Sequence, residues 1–251
     1  MIIEALQHFL TPAPKYVKDM GYVREAIAIE ARYKRCAGDW QPHLEKCKSL
    51  ILAGVGRLPA GSTVMILGSG GLHDVPVEVL LDRGLHVTCV DIVHLPKVEN
   101  SYPGITFVTR DITGMIEPLF NAVKKGTRVQ ADPEWEFLRA PDLIISLNLL
   151  SQLAMKLVDY AQTYGDDLGV NFSDNILKAH VDWLRNQQTN TLLISDISRD
   201  YYQGQRLVET IPSLPKLALS EPDETWVWDI APEGEADREI SIKHNVGAWT
   251  L

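Results

Sequence analysis

The chain has 251 residues, 45% of them hydrophobic, and carries 24 Lys and Arg against 33 Asp and Glu for a net charge of −9. That is enough for one large α/β domain or two small ones and excludes bulk disorder; the acidic balance argues against a phosphate-backbone partner, so no nucleic acid is expected. Three scattered cysteines, a start ("MIIEALQHFL") without the marks of a secretory signal, and no run near the roughly 18 apolar residues of a membrane span lead to the expectation of a cytoplasmic protein without a membrane partner.

Residues 17–36 and 42–58 are rich in helix formers at helical spacing and predict two helices, with Pro42 in the first turn of the second. "PAGS" at 59–62 is a turn. From there the periods change. "TVMIL" (63–67) predicts a strand buried on both faces, followed by a helix over 74–84. "HVTCVDI" (86–92) and "ITFVTRDI" (105–112) predict the second and third strands, and 115–126 a helix. "PDLIISLNLL" (141–150) is the fourth strand, 173–187 a helix, and "TLLISDIS" (191–198) the fifth strand. "ETWVWDI" (224–230) and "EISIKHNVGAWTL" (239–251) predict a closing antiparallel hairpin. Strands alternating with helices imply a doubly wound, mostly parallel seven-stranded sheet of α/β class. The division expected is an N-terminal helical extension (1–60) on a Rossmann-like domain (61–251). The connections 161–172 and 203–223 are read as long loops.

In such a sheet ligands bind beyond the carboxyl ends of the strands. Gly68, Gly70 and Gly71 end the first strand there, where bare backbone allows a sharp turn and close approach to main-chain N–H groups. Asp91 ends the second strand and can accept from two ribose hydroxyls. Asp111 ends the third; it can accept from an adenine amino group or cap the helix that follows.

These residues carry a family resemblance over 63–251. "VMILGSGGL", "VTCVDI", "FVTRDIT" and "PDLIISLNLLSQL" resemble the four cofactor motifs of class I S-adenosylmethionine-dependent methyltransferases, and the closing hairpin is that family's signature. The resemblance implies S-adenosylmethionine as cofactor. It places Gly68, Ser69 and Gly70 near its methionine and ribose, Asp91 on the ribose, and Ile92, Asp111 and Ile112 around the adenine. It puts Asn148 and Leu149 beside the methyl group. The sequence departs from the family at Ile66, where an acid is frequent, and at Leu72, where glycine is usual.

Methyl transfer needs alignment more than acid–base help. Ser146, Asn148, Ser151, Gln152, Asp196 and Tyr201 lie near the strand ends, but none singles itself out as catalytic, and Asp196 reads foremost as a strand-end cap. Cys36, His43 and Cys47 match no common zinc spacing, and no metal is expected. Arg32, Arg35, Trp40 and His43 are the candidates for holding a small-molecule acceptor; against this stand a solvated basic face for the two arginines and a surface helical position for His43. The competing functions are a non-catalytic nucleoside binder, suggested by Ile66 and Leu72, and a nicotinamide-dependent oxidoreductase, which the closing hairpin fits poorly.

Overall fold

The structure, a computed structural model, describes residues 2–127, 141–214 and 219–251. Five strands run parallel through the core: β1 (Thr63–Leu67), β2 (His86–Asp91), β3 (Thr106–Thr109), β4 (Leu143–Leu147) and the first half of β5 (Asn190–Gln203). β6 (Arg206–Pro212), β7 (Glu224–Ala231) and β8 (Ile240–Thr250) follow. The order is β3-β2-β1-β4-β5-β8-β7, with β8 antiparallel to both neighbours and β6 paired with β5. β1 and β4 are buried along almost their whole length, as apolar runs flanked by helices on both faces must be. Met65, Leu67, Ile144 and Leu193 pack on one face, and Val64, Ile66, Val87 and Ile145 on the other.

Ahead of the sheet lie α1 (Ile2–Leu10), α2 (Lys15–Asp19) and α3 (Tyr22–Gly54). The two helices expected over 17–36 and 42–58 are two helical segments joined at a kink within α3. α3 runs on through Pro42 and bends at Cys36 (φ −107°, ψ 20°), six residues upstream. Pro42 lies inside the second segment rather than in its first turn, where its missing N–H leaves one helical bond unmade. The other crossovers are α4 (Val77–Asp82), α5 (Pro96–Ser101), α6 (Ile116–Lys125), α7 (Met155–Thr163) and α8 (Phe172–Arg185). Of these, α5 and α7 had no counterpart in the sequence reading.

The expected seventh-strand count is corrected to eight, because the connection at 203–223 contains β6. Every residue of β6 is exposed, so no buried face imposes the alternation by which strands are recognised. A local signal was present nonetheless: Gln203 pairs with Arg206 across a two-residue turn whose Gly204 has φ +57°. Residues 215–218 of that connection lie outside the described residues. β5 also outruns its expected end, and residues 198–203 leave the core to pair with β6 and β8.

Candidate active site

The turn after β1 is built on positive φ. Gly68 (+77°) and Gly70 (+48°) are followed by Leu72 (+60°), which takes the left-handed conformation where the family has glycine. A leucine there is strained by about 1–3 kcal/mol, yet its side chain is buried in the core. Ile66 is likewise fully buried, so both departures are spent on packing. A Cβ on Gly68 would meet Leu149 Cβ at 2.7 Å and the Leu147 carbonyl at 2.9 Å. One on Gly70 would meet nothing within 4 Å, because Gly70 faces an open cavity.

That cavity has a volume of about 420 Å³, within the usual range for small-molecule sites. It opens where β1 and β4 adjoin and crossovers leave in opposite directions, beyond the strands' carboxyl ends. Beside it β8 runs antiparallel between β5 and β7. The fold is that of the class I S-adenosylmethionine-dependent methyltransferases.

All nine residues the family resemblance implicates line the cavity. Asp91 bridges the glycine turn and its own strand end: the Gly70 N–H donates to Oδ2 (2.9 Å) and the Ile92 N–H to Oδ1 (2.7 Å). Burial pushes its carboxyl up from the usual range, and those two donors pull it back. Asp111 accepts from the Thr113 N–H and hydroxyl and from the Ile116 N–H, so both its oxygens hold the entry to α6 while it faces the cavity. Asn148 has φ +50°, a conformation asparagine tolerates better than most. Its side-chain amide donates to Asp74 Oδ2 (2.9 Å) and packs 3.1 Å from His43 Nε2.

The acceptor candidates divide. Trp40 and Arg32 line the cavity; Arg35 does not. Both guanidinium groups are paired with Glu235 in the β7–β8 connection, Arg35 at 2.8 Å through Nε and Arg32 at 3.4 Å, which holds the Glu235 carboxyl well below the usual range. Trp40 donates its indole N–H to the Ile230 carbonyl (3.0 Å) and meets Trp228 edge-on at 5.1 Å. The surface position considered for His43 is corrected: it is 1% exposed, stacked on Trp228 with ring centroids 3.9 Å apart. Burial drops its pKa to about 3, so the ring is neutral.

Both ring nitrogens of His43 face donors. The Trp226 indole N–H, which can only donate, points at Nδ1 (3.0 Å). At Nε2 the ring meets the Asn148 amide nitrogen, also a donor, at 3.1 Å, and Cys47 Sγ at 3.5 Å. His43, Cys47 and Asp74 bring ligand-type atoms within 4.8 Å of one another. A metal would need a bare Nε2 and an Nδ1–H, and Trp226 opposes that arrangement.

Sequence reasoning missed Asp74, Glu30 and His73. The last two pin the glycine turn to α3: His73 Nε2 lies 2.8 Å from Glu30 Oε2, and its ring stacks on Tyr33 at 3.5 Å. It also missed Trp228, His244 and Arg199, which line the far half of the cavity. Their signal was the two-residue strand period, which puts Trp226 with Trp228, and Ile242 with His244, on one face.

No protein-family model matches the chain, and neither does any curated protein sequence. Solved structures similar to it include a Burkholderia thailandensis 1,6-didemethyltoxoflavin-N1-methyltransferase with bound 1,6-didemethyltoxoflavin and S-adenosylhomocysteine, at 15% identity, 90% of this chain, 89% of that one and TM-score 0.41. Another is a Thiobacillus denitrificans S-adenosylmethionine-dependent methyltransferase in complex with S-adenosylhomocysteine, at 13%, 82%, 90% and 0.38. A Rhodobacter sphaeroides protein described as a Zn-dependent alcohol dehydrogenase is similar at 14% and TM-score 0.32, covering 58% of this chain, which spans only 45% of that protein's length. Likenesses this distant assign no substrate and no residue role. No described helix is long and apolar enough to cross a membrane.

Proposed function

We propose that this chain is an S-adenosylmethionine-dependent methyltransferase acting on a small-molecule acceptor, with residues 1–60 as an extension that closes the cavity. The observation that carries the reading is the Asp91 carboxylate joined to the bare Gly70 N–H on a cavity wall at the sheet's switch point. Such a carboxylate suits a ribose diol, and the exposed Gly70 backbone leaves room for a ligand to lie against it. Ile92 and Ile112 supply flat apolar surface for a purine, with Asp111 beside them. The residues present therefore fit the cofactor. When bound it would supply a methyl carbon activated on a sulfonium for transfer to a lone pair of the acceptor. The chain's part is to align the acceptor and keep water out. α3 contributes to the latter by covering the cavity with Trp40 and the Arg32–Glu235 pair.

Calorimetric titration with S-adenosylmethionine, S-adenosylhomocysteine and NAD tests the reading. Micromolar or tighter binding of the two sulfur nucleosides and none of NAD is expected. Tighter binding of NAD would move the protein to the oxidoreductases. A second test uses Gly70→Ala. The φ of +48° makes alanine cost about 1–2 kcal/mol of stability, and its methyl group would project into the cavity. S-adenosylhomocysteine affinity should fall at least about tenfold; unchanged affinity would move the ligand off this turn.

A further inference from the structure

The far half of the cavity is floored by the part of the sheet that leaves the core. Along it Arg199 on β5 pairs with His244 on β8, which pairs with Trp228 on β7. Two strand spacings put Arg199 about 10 Å from Trp228. All three line the cavity, with Tyr201 and Ile242 in the next row and Trp40 of α3 in edge contact with Trp228.

Arg199 is held from behind. Asp196 is 5% exposed and accepts from Arg199 Nε at 3.3 Å, from the Ser213 hydroxyl at 2.5 Å and from the Ser151 hydroxyl. Among the described residues the terminal nitrogens of Arg199 touch only the Met155 thioether (3.4 Å), a weak acceptor. Its outer edge, the one that takes a carboxylate through two parallel hydrogen bonds, is thus presented to the cavity. At the other end of the row the Trp228 indole nitrogen is buried without a hydrogen-bond partner among the described residues.

The carboxylates on the cavity wall are differently placed. Glu25 is paired with Lys156 at 2.9 Å, Glu30 with His73 at 2.8 Å, and Asp74 with the Asn148 amide at 2.9 Å. Asp91 and Asp111 accept from backbone N–H groups. The unspent polar capacity in the far half is therefore donating, and the surface between its donors is aromatic and aliphatic. His244 is neutral near pH 7, since burial lowers its pKa to about 4, so it adds no repelling or attracting charge there.

We propose that the acceptor is a flat aromatic or heteroaromatic acid, its carboxylate on Arg199 and its ring against the wall that Trp228 and Trp40 form together. The word acceptor rests on the methyl-transfer reading; the binding site does not.

The probes are 2-naphthoate, 2-naphthamide and 2-naphthylmethylamine, titrated calorimetrically with and without S-adenosylhomocysteine. Naphthoate is expected to bind at least tenfold tighter than naphthamide, and the amine not at all. Arg199→Gln should erase the preference for the acid while leaving naphthamide and S-adenosylhomocysteine affinities within about threefold of wild type. Because the Gln variant strips Asp196 of a partner, its melting curve is recorded. Should it fail to fold, Arg199→Lys, which keeps the charge and loses the paired edge, should cut the preference to about threefold. Equal binding of acid and amide, tighter binding of the amine, no binding of naphthoate up to millimolar concentration, or an unchanged preference in the folded variant overturns the proposal. A wild type that binds naphthoate but not S-adenosylhomocysteine would overturn the methyl-transfer reading and leave this site standing.

Discussion

Asp91→Ala is expected to weaken S-adenosylhomocysteine binding roughly 30- to 1000-fold. The carboxylate has lone pairs to spare beyond those facing the Gly70 and Ile92 N–H groups. Two charge-assisted bonds to a ribose diol are together worth about 2–4 kcal/mol when lost. Alanine also frees the Gly70 N–H, so the turn loses the acceptor that sets its distance from β2. Asp91→Asn separates the two effects. It retains one acceptor oxygen and gives up the charge, and should land about tenfold below wild type. Both variants are titrated alongside a thermal melt. An Asp91→Ala protein that melts like wild type and binds with the same affinity would take Asp91 out of the ligand site.

What could be read from the sequence tracks what local chemistry dictates. Apolar runs such as "TVMIL" and the "LIISL" within the expected 141–150 are buried on both faces; the first coincides with β1, and β4 begins two residues after and ends three residues before its expected bounds. The glycine turn, Asp91 and Asn148 were legible for the same reason: strand ends are local, and a doubly wound sheet brings them to one edge. The far half of the cavity was not. Arg199 follows the expected end of β5 at Ser198, and its role depends on an extension that only pairing with β8 reveals. Arg32 and Arg35 do share a helix face, but what they meet is Glu235, two hundred residues on. His43 shows the limit most plainly. Its neighbours in sequence, Pro42 and Gln41, are exposed, and nothing nearby announces that two tryptophans of β7 close over it. Where a side chain's environment is made by a strand far along the chain, periodicity places the residue on a face and says nothing about what covers that face.

Three buried histidines, His43, His180 and His244, should make the protein acid-labile well above the pH at which carboxylates protonate. Burial lowers the pKa of His43 and His180 to about 3 and of His244 to about 4. An unfolded chain titrates its histidines near 6.5. Between those values the unfolded state binds more protons than the folded one, so stability is full above pH 6.5 and is lost as pH falls. Each histidine costs about 1.4 kcal/mol per pH unit in that window, and three together about 4 kcal/mol per unit. Asp74 and Asp91 act the other way, since burial raises both and the folded state takes up their protons first. Their protonation in the folded state offsets part of that loss above the ordinary aspartate pKa of about 4. Because domains are stable by only about 5–15 kcal/mol, unfolding near pH 5 is expected. The measurement is the urea midpoint at pH 7.5, 6.5, 5.5 and 5.0. His180→Gln is the informative variant: Ser146 Oγ lies 2.9 Å from His180 Nε2, and glutamine keeps a polar partner for that hydroxyl without a titrating ring. It should lower stability at pH 7.5 and reduce the slope below pH 6.5 by about a third. A midpoint that does not move between pH 7.5 and 5.0, or a variant with the full wild-type slope, would mean that these rings accept protons in the folded state and that the histidine environments are wrong.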